Sequence, residues 1–321
     1  MKKFKLIIDT DPGVDDATAL VFALNDPQFD IKLFTVAAGN IHIEKASRNL
    51  CHLLDIFDKD IPVVNGYAQA LGGTDEFAYF LHGDEGLGNY IPPKTTKHKP
   101  EKKDCAEAMY EVLKQYPHEV TIMVLGPHTN LAHLLMRYPD AKKLIKNIVM
   151  MGASIDGIKT NKNHRSFNIR KDAVAFKKTI ESQLPVIMCP SKIGRDQAYF
   201  TEKQVNKIKN TNEIGKFLAK TFECYWEPGY DEKQISNCDL SAIFVLSYPK
   251  LFKCQQAFID VDTEVNIGQT TGHYDKRGCF SVIQLVKREK WLNLIFNRLK
   301  LLSDLKITNK TFKQNLKEKQ D

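Results

Sequence analysis

The sequence predicts an α/β protein with an open, mainly parallel central sheet and helices on both faces. Three observations carry this reading. Short runs rich in Ile, Val and Leu alternate with helix-length stretches through the first 190 residues, the rhythm of βαβ units in a parallel sheet. The runs are apolar throughout, as strands covered on both faces must be. Polar residues and glycines gather just after several runs, where open α/β sheets bind their ligands.

The first strand is Lys5-Leu6-Ile7-Ile8, and Pro12-Gly13 turns the chain into a helix over 15–24. A second strand covers 31–38. A helix follows over 44–57 with an apolar stripe of Leu50, Leu53, Leu54 and Phe57. Residues 61–64 form a short strand, and 66–103 are irregular and glycine-rich, long enough for a functional loop. Asp104 caps a helix running to 116. Strands at 120–125, 147–151 and 184–188 are joined by helices near 130–136 and 173–180. Beyond residue 190 the pattern predicts helices at about 201–208, 211–225 and 239–248. A β segment over 257–286, with turns at Gly268 and Gly272, precedes a last amphipathic helix at 289–302. No repeat and no Gly-, Pro- or Ser-rich linker interrupts the chain, so 1–321 reads as one domain with a polar, basic tail from about 303.

Composition narrows the function classes. A hydrophobic content of 43% supports a large core, yet no apolar run reaches the ~20 residues of a membrane span. The apolar stretch behind Met1-Lys2-Lys3-Phe4-Lys5 meets Asp9 too soon for a signal peptide, so a cytoplasmic location is expected. The cysteines at 51, 105, 189, 224, 238, 254 and 279 form no CxxC pair, which argues against zinc and a disulfide framework. From Lys287 onward there are ten Lys/Arg against four Asp/Glu, so the net +7 resides mostly in a solvated helix and tail. No RNA motif or aromatic interleaving accompanies it, and neither nucleic acid nor membrane is expected as a partner.

The most informative segment is Ile7-Ile8-Asp9-Thr10-Asp11-Pro12-Gly13-Val14-Asp15-Asp16, with four aspartates in eight residues at a strand tip. Carboxylates this close raise one another's pKa values unless a cation neutralises them. Oxygen-only ligation suits Ca²⁺ or Mg²⁺ rather than zinc. Other predicted strands end in Gly39-Asn40, in Leu125-Gly126-Pro127-His128-Thr129-Asn130 and in Met150-Met151-Gly152-Ala153, with Asn168 and Asp239 later, in loops or at a helix start. In a parallel sheet these ends share one edge and can converge on one pocket.

The block Asp9 to Asp16 resembles the signature of the nucleoside hydrolases, the inosine-uridine-preferring family. Four further blocks follow in the expected order: Thr35-Val36-Ala37-Ala38-Gly39-Asn40, His82-Gly83-Asp84-Glu85-Gly86-Leu87-Gly88, Leu125 through Asn130, and Ser166-Phe167-Asn168. The resemblance spans about residues 4–250. It implies a Rossmann-like nucleoside hydrolase fold and Ca²⁺-dependent cleavage of the N-glycosidic bond of ribonucleosides, releasing base and ribose in purine or pyrimidine salvage. It further implies that Asp11 binds the cation and acts as general base. Asp16, the backbone carbonyl of Thr129 and the carboxylate of Asp239 would complete the metal ligands. Asp15, Asn40 and Asn168 would hold ribose hydroxyls, and His82 and Trp226 would border the base. The resemblance also suggests a homodimer or homotetramer.

Two positions depart from the family pattern. Where the family has Glu-Phe-Asn, with the Glu on the sugar, this chain has Ser166-Phe167-Asn168. Where the family commonly has His-Asp, with the His as acid for the leaving base, it has Cys238-Asp239. The first departure, beside the basic run from Lys159 to Lys171, raises a 5′-substituted or otherwise modified nucleoside as substrate. The second leaves Cys238 at the position of the usual acid and raises a catalytically impaired, metal-dependent nucleoside binder. A haloacid-dehalogenase-type phosphatase shares an apolar strand ending in Asp-x-Asp. That family places its further metal carboxylates far downstream, unlike Asp15 and Asp16.

Overall fold

The computed structural model describes residues 3–155, 165–226 and 233–304, together with 312 and 316. Eleven strands are described: β1 (Phe4–Thr10), β2 (Phe29–Val36), β3 (Val63–Asn65), β4 (Val120–Val124), β5 (Ile145–Met151), β6 (Val186–Cys189), β7 (Tyr199–Thr201), β8 (Gln234–Ser236), β9 (Phe252–Val261), β10 (Thr270–Tyr274) and β11 (Phe280–Val286). Nine of them form one sheet in the order β10-β9-β11-β6-β5-β4-β1-β2-β3, while β7 and β8 make a separate antiparallel ribbon. From β3 to β11 every neighbouring pair is parallel. The β9–β10 arm is added antiparallel beyond β11. The predicted mainly parallel sheet is therefore present.

Each face carries its own apolar layer, and β1 shows how one strand serves both. Leu6 and Ile8 belong to one cluster, with residues of the helices Val14–Leu24, Ile43–Phe57, Glu213–Phe222, Cys238–Ser247 and Arg288–Leu301. Ile7 points the other way, into a layer with the helices Cys105–Gln115, Thr129–Arg137 and Ala173–Glu181. This is the period of two that a doubly covered strand requires.

The strand order places the site. The chain runs β1 to β2 to β3 toward one edge, then returns to lay β4 against the other side of β1. That reversal opens a crevice at the carboxyl ends of β1 and β4, where doubly wound sheets bind ligands. β1 ends in the aspartate block, and β4 runs out into Gly126 and Thr129. Two wholly buried helices, Val14–Leu24 and Cys238–Ser247, pack against each other and carry Asp15, Asp16 and Asp239 in their first turns. Negative charge is favoured at such helix starts.

The structure corrects several boundaries. Gly272 lies inside β10 rather than in a turn, whereas Gly268 does take the positive φ of a turn, +79°. The helix expected to reach 225 ends at Phe222. The short helices Tyr79–His82, Phe167–Lys171 and Ser191–Asp196 and the β7–β8 ribbon leave no trace in the sequence pattern, because three to six residues carry too little periodicity. The part of the basic run from Lys159 to His164, and the tail beyond 304 apart from 312 and 316, lie outside the described residues. Among the described residues no helix is long and apolar enough to cross a membrane.

Candidate active site

Asp9, Asp11, Asp15, Asp16 and Asp239 are all buried, at most 6% exposed. Oxygens of Asp15, Asp16 and Asp239 lie within 4.8 Å of one another, a spacing that suits one cation. Asp11 stands beside them: Asp16 and Asp15 both raise its pKa through their charges. Its Oδ2 accepts the Asn40 backbone N–H at 2.7 Å, and the Asn40 side-chain amide donates to Asp16 Oδ2 at 3.0 Å. Asp16 Oδ1 accepts the Thr10 hydroxyl at 2.6 Å. Asn40 and Thr10 therefore fix two of the carboxylates, leaving other oxygens bare.

Those bare oxygens are the test of a cation site. Asp11 Oδ1, Asp15 Oδ1 and both oxygens of Asp239 are buried without a hydrogen-bond partner among the described residues. Unpaired buried carboxylate oxygens are costly, and a native fold keeps them for a purpose. Burial pushes Asp15 up to about 7, helped by the charge of Asp16. Asp239 rises well above the ordinary carboxylate range, from burial first and then from Asp15 and Asp16. Asp11 rises likewise, from burial and then Asp16. A divalent cation among these oxygens would reverse each shift. The all-oxygen donor set fits a hard ion, so these residues can hold a metal.

Asp9 belongs to the frame rather than to the triad. Its Oδ1 accepts Thr35 Oγ1 at 2.6 Å and Asn130 Nδ2 at 2.7 Å, tying β1 to β2 and to the helix after β4. Burial raises it to about 7.

Two glycines are set by space. A Cβ on Gly13 would lie 2.4 Å from His82 Nδ1 and 2.8 Å from Asn40 Nδ2, so the expected turn glycine is needed for close approach. A Cβ on Gly39 would sit 2.0 Å from Asp11 Oδ2 and 2.7 Å from Pro127 Cδ. Gly39→Ala is therefore expected to displace Asp11 and cut turnover about a hundredfold, measured as kcat beside an unchanged folded circular-dichroism spectrum.

The remaining residues singled out in the sequence divide by what they touch. His82 closes the short helix Tyr79–His82 and accepts the Val14 N–H on Nδ1 at 3.1 Å, so in its neutral form the proton sits on Nε2. Burial pulls its pKa down to about 3, and it lies 3.9 Å from Asp15. Asn168 donates to Leu125 O at 2.5 Å, which docks it on the end of β4. Ser166 is buried close to Gly152, whose Cβ would come 2.9 Å from its Oγ. Thr129 opens its helix, with its hydroxyl on Asp172.

Cys238 and Trp226 face protein. The Cys238 thiol donates to Pro190 O at 3.0 Å, accepts Gly194 N–H at 3.2 Å and lies 3.9 Å from Cys189 Sγ. Trp226 donates to Glu223 O at 3.1 Å under the Lys233 ammonium. Its neighbour Tyr225 instead hydrogen-bonds Asp15 and stands 5.1 Å from the His82 ring. The described basic residues near Ser166 are also engaged. Arg165 donates to Ile267 O, and Arg170 pairs with Glu76 at 2.7 Å.

Three further buried residues near the site are not singled out in the sequence. Asp172 and Lys171 lie beneath the loop that follows β3, as described below. Asn237, wholly buried beside Cys238 and Asp239, pairs neither side-chain amide atom among the described residues. Its place two positions before a suspected ligand is the one cue to it.

A buried carboxylate cluster at the switch point of a doubly wound sheet could hold a metal ion, and comparison with known proteins gives the family of the chain. The family model for inosine-uridine preferring nucleoside hydrolases matches residues 6–293. The non-specific ribonucleoside hydrolase RihC of Salmonella enteritidis is 36% identical over 259 residues, covering 81% of this chain and 83% of that protein. Among solved structures, the plant nucleoside hydrolase PpNRh1 superposes with a TM-score of 0.84 at 28% identity, over 92% of this chain and 98% of that one. The purine-preferring ribonucleoside hydrolase of Gardnerella vaginalis also gives 0.84, at 27% identity over 93% of this chain and 99% of its own. The chain belongs to the inosine-uridine preferring nucleoside hydrolase family.

Proposed function

We propose that this protein hydrolyses the N-glycosidic bond of ribonucleosides to free base and ribose with Ca²⁺ in the carboxylate cluster. The observation that carries the reading is the set of unpaired, buried oxygens on Asp11, Asp15 and Asp239 at the switch point of the sheet. Asp11, Asp16, Asp239 and the Thr129 carbonyl would hold the ion, with Asp15 close enough to share it. When bound, the ion supplies the positive field that makes water acidic at neutral pH and attracts the ribose diol.

The protein's own groups do the rest. Asp11, poised by Asn40 and by the bare edge at Gly39, takes the proton of the attacking water. Positive charge develops on the ribose as the C1′–N bond breaks, and Asp15, Asp16 and Asp239 stabilise it without reorganising; the bond's electron pair leaves with the base, which takes a proton from solvent. Asn40 and Asn168 orient the sugar from either side of β1. Tyr225 and His82 border the space beyond Asp15.

Cys238 does not suit the role of acid, since its thiol donates to one backbone group and accepts from another. Loss of an essential acid would cost about a hundredfold or more. Cys238→Ala is expected to keep kcat within about tenfold of the parent, read from initial rates on inosine and uridine. A larger loss with an unchanged melting temperature would assign the thiol a chemical role.

The reading is tested by comparing ribonucleosides with their 2′-deoxy counterparts under saturating Ca²⁺. The expected result is at least about a hundredfold preference for ribose. Equal rates would remove the cation from sugar recognition. Nucleoside 5′-monophosphates in the same panel test the modified-substrate alternative, which a clear preference for the phosphate would favour.

A further inference from the structure

Asp172 is fully buried, and its two oxygens accept four hydrogen bonds. Oδ1 takes the N–H groups of Ala175 at 3.0 Å and Gly72 at 3.1 Å. Oδ2 is shared by the Leu71 N–H at 2.9 Å and the Thr129 hydroxyl at 2.7 Å. The Ala175 bond caps the helix Ala173–Glu181, an ordinary task for aspartate. The other three bonds join two distant parts of the chain, the segment after β3 and the start of the helix Thr129–Arg137.

One part is the segment after β3. Its residues are stitched to the stretch around Asp172: Val174 N–H to Gly72 O at 3.0 Å, Thr74 N–H to Arg170 O at 3.1 Å, and Arg170 to Glu76 at 2.7 Å. The Lys171 ammonium donates to Glu76 O at 2.8 Å and lies 4.0 Å from the Phe77 ring centre. The segment ends with Ala78 N–H on Asn40 O at 2.8 Å, next to the residue that fixes Asp11 and Asp16. Residues 71–78 thus form a wall pinned at one end to the stretch around Asp172 and at the other to Asn40. The other part is Thr129, whose hydroxyl reaches that wall through Asp172 Oδ2.

We propose that Asp172 is a positioning residue that couples the cation site to the 71–78 wall through the Thr129 hydroxyl. The inference rests on the reading of the Thr129 carbonyl as a cation ligand. An ion that draws on this carbonyl fixes the Thr129 backbone, its hydroxyl fixes Asp172 Oδ2, and Oδ2 holds Leu71. Two groups sharing one oxygen cannot move independently, so ordering at the ion is passed to the wall. By reciprocity, whatever orders the wall tightens the ion.

Thr129→Val separates coupling from a purely structural role. It removes one hydroxyl and keeps the carbonyl, the helix cap and both loop bonds to Asp172. Ca²⁺ affinity is measured by calorimetry, and amide hydrogen exchange of the peptide covering 71–78 is followed with and without Ca²⁺. In the parent protein Ca²⁺ is expected to slow exchange of this segment about tenfold. In Thr129→Val the ion still binds, several-fold more weakly, and protection falls below about twofold. Thr129→Ser restores it. Asp172→Asn leaves the segment fast with or without Ca²⁺. Binding with no protection in the parent, or equal protection in Thr129→Val, overturns the coupling and leaves the proposed activity standing. No binding heat in the parent overturns both.

Discussion

Asp239→Asn is expected to weaken Ca²⁺ binding and activity severely while making the cation-free protein more stable. Both Asp239 oxygens are buried and unpaired, and Asp15 and Asp16 press their charge on it. A neutral amide of nearly the same shape removes that repulsion and can donate to a neighbouring carboxylate. Relief of a buried, uncompensated charge contributes about 1–2 kcal/mol. The melting temperature in chelator should therefore rise by several degrees. On the proposed reading the same change takes one ligand from the ion. Ca²⁺ affinity should fall at least about a hundredfold and ribose release about a thousandfold. A residue kept only for packing would show the opposite pairing, with lower stability and intact turnover. Calorimetric melting in chelator and a Ca²⁺ titration on one preparation separate the two.

The second large effect is the pH dependence of stabilisation by Ca²⁺. In the cation-free fold burial and the charge of Asp16 push Asp15 up to about 7, against 3.8 for an ordinary aspartate, and Asp11 and Asp239 are raised as well. Between pH 4 and 7 the folded state then holds more protons than the unfolded chain, so stability falls as pH rises through this window. This is the reverse of the usual salt-bridged aspartate. A bound divalent ion replaces those protons and removes the loss. The rise in melting temperature produced by saturating Ca²⁺ is therefore expected to be small at pH 5 and much larger at pH 7.5. A rise independent of pH would place the ion away from these carboxylates.

Much of this site is legible in the sequence because its residues occupy the ends of strands. A buried parallel strand shows itself as an apolar run, and its carboxyl end must lie on the ligand edge. Asp11, Asn40 and Thr129 can be brought together on that ground alone. Asp239 is different. Its place depends on two wholly buried helices packing with their starts together, and uniformly apolar helices carry no directional stripe. The residues alone offer it as an acid at a helix start, and only the resemblance to a family gives it a role. Asp172 is illegible for a related reason: its partners Leu71 and Thr129 lie 101 and 43 residues away. Lys171 closes the basic run that begins at Lys159, and nothing in that run marks it as buried, yet it is 4% exposed. The sequence marks Gly13 as a turn residue, and only the fold brings His82 and Asn40 against it. The β9–β10 arm is visible as a β segment, but its antiparallel attachment beyond β11 follows from pairing that local sequence does not encode.

Whether the carboxylate cluster holds an ion and uses it to cleave nucleosides is answered most directly by reducing-sugar release. The assay takes a panel of purine and pyrimidine ribonucleosides, with Ca²⁺ and with chelator, on the parent protein and Asp11→Asn. The expected result is equimolar base and ribose from the parent, loss with chelator and recovery on adding Ca²⁺. Asp11→Asn should lower the rate by about a thousandfold or more. Calcium binding without sugar release from any nucleoside, or release that survives both chelator and the substitution, would show that the cluster does not do this chemistry.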